Sequence, residues 1–158
     1  MRASKGSKQV QGQSDRQKPV GLTADAGYQI GVRRTFPISR EQAWSYLLSK
    51  EGMKLWLGGA ANLELHAGYK YVSADGTSGE LRVVKPAEQL RLTWQRKDWE
   101  QPSTLQIRLL PAASGRTTIS FHQERLADAD MRETMKRHWE QAATAISELA
   151  SGLAKEEG

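Results

Sequence analysis

The chain has no cysteine among its 158 residues. That excludes disulfide staples, thiolate metal sites and a cysteine nucleophile. No apolar run approaches the ~18 residues that a membrane-spanning helix needs, so no membrane insertion is expected. The N-terminus is polar and lacks the apolar stretch of a secretory signal, which by default predicts a cytoplasmic protein. Histidine occurs only three times. His66, His122 and His138 are far apart, and no His-x-His or His-x-x-x-His pair exists. Gly58-Gly59 lacks the Lys-Ser/Thr that completes a phosphate-binding loop. There is no Gly-x-Ser-x-Gly elbow. Acids such as Glu64, Glu80 and Asp98 are scattered without a visible pair. The sequence therefore predicts no metal, no cofactor and no catalytic constellation.

What charge there is lies unevenly. The formal net charge is +5. Residues 1–18 hold Arg2, Lys5, Lys8, Arg16 and Lys18 against Asp15 alone. The rest is nearly balanced, at 18 basic against 17 acidic side chains. A nucleic-acid domain concentrates its charge on a folded face, so no nucleic-acid partner is expected. Residues 1–27 have almost nothing to bury and predict a disordered basic tail. A single domain is expected over 28–154.

Within that domain the hydrophobic period changes twice. Tyr28, Ile30, Val32 and Phe36 alternate, which reads as a strand ended by Pro37. Ser39 with Gln42 forms a capping box for a helix whose buried stripe is Ala43, Trp44, Leu47 and Leu48. Gly52 is expected to interrupt that helix, Met53–Leu57 to add a short helical turn, and Gly58-Gly59 to stop it. From Ala61 to Glu124 the period is two. Strands are predicted around Leu63–Leu65, Tyr69–Tyr71, Leu81–Val83, Leu90–Trp94, Leu105–Leu109 and Thr117–Phe121. Asp75-Gly76 signals a tight turn, and Pro86 a break. Asp130 with Glu133 reads as a second cap. Met131, Met135, His138 or Trp139, Ala142, Ile146, Leu149 and Leu153 then mark a helix of roughly twenty-five residues ending near Gly152. The expected fold is α+β, in the order β-α-α-β6-α. A curved seven-stranded antiparallel sheet would wrap one long C-terminal helix.

Several motifs carry a family resemblance over about residues 28–153. They are Arg33-Arg34-Thr35-Phe36-Pro37-Ile38-Ser39 with Glu41 and Trp44, then Trp56, Gly68, Asp75-Gly76 and Gly79-Glu80-Leu81. Pro86, Leu90, Thr93-Trp94, Gly115-Arg116-Thr117, Trp139 and Leu149 follow. In this order the chain resembles the START-like, helix-grip superfamily (SRPBCC, Bet v I-like). Within it, the chain is similar to the Hsp 90 ATPase activator homologues of small bacterial proteins. The resemblance implies an apolar cavity between sheet and long helix. The scaffold hosts carriers, cyclases, hydrolases and chaperone partners, so it does not by itself select a function.

On that fold, Leu81, Val83, Leu92, Trp94, Ile107 and Ile119 would line the cavity from the sheet. Met135 and Trp139 would face them from the helix, Trp56 would stand near the mouth, and Tyr69 or Tyr71 would orient a ligand. Met131 and Met135 suit a pocket that accepts several shapes. The expected ligand is a hydrophobic small molecule, such as a lipid, a polyketide or a flavonoid-like aromatic. A large empty cavity would cost on the order of 24 cal/mol per Å³. It should therefore hold a ligand or water, or close by inward collapse of Trp56 and Trp139. The alternatives are a chaperone-interaction module, implied by the family name, and a cyclase or hydrolase built on His138 and the tyrosines. The activators that give the family its name also carry a separate chaperone-binding domain, and residues 1–27 could not fold into one. A monomer or weak dimer is expected.

Overall fold

The computed structural model describes residues 22–23 and 27–157. The tail expected over 1–27 lies outside them, save that Leu22–Thr23 form a two-residue strand, β1, paired with Gly27 and Tyr28. Strand β2 (Gly27–Phe36) follows, then helix α1 (Arg40–Leu47) and helix α2 (Lys50–Trp56). A five-stranded meander comes next: β3 (Lys70–Val72), β4 (Ser78–Lys85), β5 (Gln89–Trp94), β6 (Ser103–Pro111) and β7 (Thr117–Leu126). Helix α3 (Ala129–Glu157) closes the fold. The strands form one antiparallel sheet in the order β1-β2-β7-β6-β5-β4-β3. Its two ends in sequence meet in the β2–β7 pair, which joins the first long strand to the last.

The fold class is as expected, with corrections in detail. The sheet has seven strands, but the strand predicted at Leu63–Leu65 is absent and β1 takes its place in the count. Alternation there lacks a buried face: Leu65 is 43% exposed. The capping box is real, with the Gln42 backbone N–H donating to Ser39 Oγ at 3.1 Å and the Ser39 N–H donating to Gln42 Oε1 at 2.9 Å. The break between helices falls at Leu48–Ser49, not at Gly52. Gly52 sits inside α2 because a Cβ there would lie 1.9 Å from the Tyr46 carbonyl oxygen. Gly58 and Gly59 end the segment with φ of 86° and 142°, conformations that L side chains rarely adopt. Helix α3 is capped by Asp128 rather than Asp130, its Oδ1 accepting from the Met131 N–H at 2.7 Å. It runs through Gly152. Its buried stripe passes through Ala143, Ile146 and Ala150, and leaves Leu149 exposed.

The core lies between the sheet and the three helices. Alternate residues of β5, β6 and β7 point inward, among them Leu92, Trp94, Leu105, Ile107, Ile119 and Phe121, all buried. Met135, Trp139, Ala142 and Ile146 of α3 and Trp56 of α2 meet them. Two register breaks interrupt the alternation. In β4, Leu81 pairs with Leu92 but Val83 with Arg91, so Arg82 is an extra residue. In β7, Glu124 and Arg125 stand opposite the single residue Gln29. Each is a β-bulge, and each reverses which residues face the core beyond it.

Candidate functional site

Most of the side chains expected to line a cavity do come together between sheet and long helix. Trp56, Leu81, Leu92, Trp94, Ile107, Ile119, Met135 and Trp139 are all buried in one cluster. They fill that space with aromatic packing. Trp139 stacks on Phe121 with centroids 5.0 Å apart and a 14° interplanar angle. Trp94 lies 5.7 Å from Trp139 and meets Trp99 edge-on at 5.4 Å. Val83 is not with them. The β4 bulge turns it to the outer face, where it lines a groove with Arg82 and Arg91, while Val84 takes the inward place opposite Leu90. The tyrosines are already engaged. Tyr71 is buried and its hydroxyl donates to the Thr93 carbonyl at 2.6 Å. Burial pushes that phenol far above its ordinary range. Tyr69 is half-buried and donates to the Asn62 carbonyl at 2.7 Å. Trp56 lies inside the core rather than at a mouth, and its Nε1 donates to the Leu47 carbonyl at 2.8 Å.

Three features of the site escape a straight reading of alternation. The first is a buried polar chain. Gln123, fully buried, accepts from Trp139 Nε1 at 2.8 Å and donates to Ser103 Oγ at 2.8 Å. Ser103 in turn donates to the Trp94 carbonyl at 2.5 Å. Gln123 continues the inward phase of Ile119 and Phe121, and a polar residue in that phase was the available signal.

The second is a polar cluster beside Trp94. The Arg96 guanidinium lies 5.5 Å from the Trp94 ring centroid, and its Nη2 is 3.2 Å from His138 Nδ1. A cation cannot accept, so Nδ1 does, and His138 carries its proton on Nε2. Burial lowers the His138 pKa to about 4, and the Arg96 charge pushes the same way. The Trp56 backbone and Asp75 oppose them without prevailing. Asp75 closes the β3–β4 turn, its Oδ1 accepting from Ser73 Oγ at 2.7 Å and from the Thr77 N–H at 2.9 Å. Burial raises its carboxyl pKa, but those hydrogen bonds and Arg96 outweigh burial and hold it below the usual carboxylate range. Trp94 Nε1 and His138 Nε2 are buried donors with no hydrogen-bond partner at good geometry among the described residues.

The third is a groove of about 450 Å³ at the end of the sheet where the β5–β6 hairpin meets the start of α3. Asp98, Trp99, Glu100 and Gln101 border it on one side, and Arg125, Ala127, Asp128 and Met131 on the other. Trp99 joins this groove to the core, since it also packs on Trp94. The remaining histidines lie elsewhere. His66 is exposed beside Glu64, and His122 is hydrogen-bonded to Gln29 on the outer face. Among the described residues, no group of three His, Cys, Asp or Glu could hold a metal ion. No described helix is long and apolar enough to cross a membrane.

With this geometry in hand, a family model described as "Activator of Hsp90 ATPase homolog 1-like protein" matches residues 37–151. The chain belongs to that family. Solved structures agree on the fold. An HSP90 activator from Plasmodium falciparum superposes with a TM-score of 0.67 at 15% identity, covering 78% of this chain and 96% of that one. The Aha1 dimer from Colwellia psychrerythraea gives 0.62 at 14% identity, over 75% and 92% of the two chains. CalU16 from Micromonospora echinospora gives 0.64 at 17% identity, over 75% and 71%. No curated protein matches the sequence. The START-like helix-grip fold of the Hsp90 ATPase activator homologues is therefore the fold of this chain.

Proposed function

We propose that the protein binds a hydrophobic small molecule, an aromatic, polyketide or lipid, which enters by the groove at the open end and lies against Trp99, Trp94 and Met131. The observation that carries this reading is the pairing of an open groove with a buried, unengaged donor. The groove is about 450 Å³, within the ~300–1,000 Å³ range of ligand sites. Trp94 Nε1, one aromatic layer further in, belongs to a residue that is 1% exposed and donates to nothing among the described residues. A ligand carbonyl or hydroxyl reaching it would gain a hydrogen bond that the free protein lacks, while its apolar body meets the Trp94 and Trp99 rings.

The test is a titration of tryptophan fluorescence with fatty acids, sterols and flavonoid-like aromatics. A saturable micromolar response whose dissociation constant rises severalfold in Trp94→Phe supports the reading. Phe keeps an aromatic ring in the core while it deletes the donor, a milder change in packing than Trp94→Ala. A flat response across the panel overturns it. A second reading, docking to an Hsp90-type chaperone, is favoured by the family match over residues 37–151. Stimulation of a purified chaperone's ATPase would support it. A catalytic role would rest on His138, whose pKa of about 4 makes it a weak base at neutral pH.

A further inference from the structure

The near-neutral charge of the folded region conceals a separation. The outward-facing positions of the sheet carry Arg33, Arg82, Lys85, Arg91, Arg108 and Arg125. Three of these, Arg82, Arg91 and Arg125, border one outer-face groove of about 360 Å³ together with Val83, Thr93 and Thr104. The groove opens on the outer face of the sheet, and Arg125, at its edge, also borders the groove at the start of α3.

Both β-bulges flank it. Without the β7 bulge, strict alternation from Gln123 would turn Arg125 into the core. The extra residue turns it out and lets Leu126 be buried instead. Arg125 takes this place at φ 66°, a left-handed backbone uncommon for a residue other than Gly, Asn or Asp. The β4 bulge in the same way leaves Arg82 and Val83 on the outer face together. Strain and bulges of this kind collect where a side chain has been re-aimed toward a site. The arginines are only loosely engaged. Arg91 lies 3.9 Å from Glu124 and Arg82 lies 3.8 Å from Glu80. Arg125 is in no ion pair among the described residues.

We infer that this groove binds a phosphate-bearing anion, clamped by the Arg82, Arg91 and Arg125 guanidiniums with the Thr93 and Thr104 hydroxyls as further donors. Guanidinium forks match the geometry of phosphate oxygens, and hydroxyls supply the remaining contacts. The Glu80 and Glu124 carboxylates set the limit on charge, since each can reclaim its arginine when the anion leaves. Among the described residues that line this groove none is aromatic, so nothing in it stacks a nucleic-acid base, which favours a phosphate group over a nucleic-acid strand.

The experiment is a low-salt amide chemical-shift titration of the full chain with inorganic phosphate, pyrophosphate and a phosphoserine peptide in separate arms. The expected result is a saturable response at Val83, Thr93, Thr104 and Arg125. Arg125→Gly tolerates the left-handed backbone and removes the guanidinium together with the rest of the side chain. It and Arg91→Gln should each weaken binding at least tenfold, whereas Arg108→Gln, on the same face but outside the groove, should not. Tighter binding of pyrophosphate identifies a small-molecule source, and tighter binding of the peptide a phosphorylated protein. No saturable shift in any arm overturns the inference. So does an equal loss in Arg108→Gln, which would reduce the effect to the general charge of the face.

Discussion

Removing the Gln123 amide tests whether a buried polar chain pins helix α3 to the sheet. Gln123 accepts from Trp139 Nε1 and donates to Ser103 Oγ, both at 2.8 Å, and all three residues are essentially inaccessible. In Gln123→Met the volume is nearly kept, so the cost is chiefly polar. Trp139 Nε1 is left buried without an acceptor, at about 1–3 kcal/mol. Ser103 loses a donor but keeps its bond to the Trp94 carbonyl, so its share is smaller. A total of about 2–3 kcal/mol follows, or roughly 6–15 °C in Tm for a domain of this size. Urea denaturation followed by tryptophan fluorescence and circular dichroism measures it. Ser103→Ala alone strands the Gln123 amide. In the Gln123→Met background the amide is already gone, so the second substitution should cost about 1 kcal/mol less. A neutral Gln123→Met, or single effects that add within ~0.5 kcal/mol, would refute the reasoning.

Other consequences follow from single contacts. His138 has a folded pKa of about 4 against an ordinary value of 6.5, so the unfolded chain binds the proton first as pH falls. Its contribution to stability is therefore complete above pH 6.5 and is lost toward pH 4, by up to about 3 kcal/mol. His138→Gln should flatten that part of the stability profile, and a His138 NMR titration midpoint at or above 6 would contradict it. Gly52→Ala would place a Cβ 1.9 Å from the Tyr46 carbonyl oxygen, so α1 and α2 must separate. Loss of soluble folded protein is expected, and an unchanged Tm would show that the helices slide freely. Ser39→Ala removes the cap on the Gln42 N–H and should cost about 1 kcal/mol by urea denaturation, without changing the slope.

The sequence pattern carried the architecture because three signals agreed. Period-two alternation, a capping box and a long 3.6-period stripe each marked elements that the fold uses. It failed where local pattern and tertiary pairing part. Leu63–Leu65 alternates, yet no strand accepts it, because hydrogen-bonding partners are not written in the segment itself. Val83 falls on the inward phase only for a register that runs straight through Arg82, and a bulge has no compositional mark of its own. The same blindness hid Arg125 and Leu126, which exchange faces one strand away. At the start of α3, Asp128 and Asp130 are equally good caps by residue type, and only the path of the chain out of β7 selects between them. Ala150 replaces Leu149 in the buried stripe because the helix turns against a close-packed sheet, where a small side chain permits approach. Arg96 was invisible as a site residue because its partner His138 lies 42 positions away.

The packing also decides how a ligand could enter. Trp94 and Trp139 lie fully within the core, and emptying either position costs on the order of 3–5 kcal/mol. That is a large share of the ~5–15 kcal/mol that holds a domain together. Trp99 is different. It is half-buried, borders the open groove, and is held mainly by its edge-on contact with Trp94 at 5.4 Å. Such a ring pair contributes about 0.5–1.5 kcal/mol beyond area burial. Swinging Trp99 outward thus lengthens the groove to the Trp94 indole at a cost of at least about 1 kcal/mol, a reduction in apparent affinity of roughly fivefold or more. Removing the ring removes that step. Trp99→Ala should speed ligand association by about the same factor in stopped-flow fluorescence while the fold persists. If association is unchanged in Trp99→Ala, the ligand does not pass this ring, and the route from the groove to Trp94 is wrong.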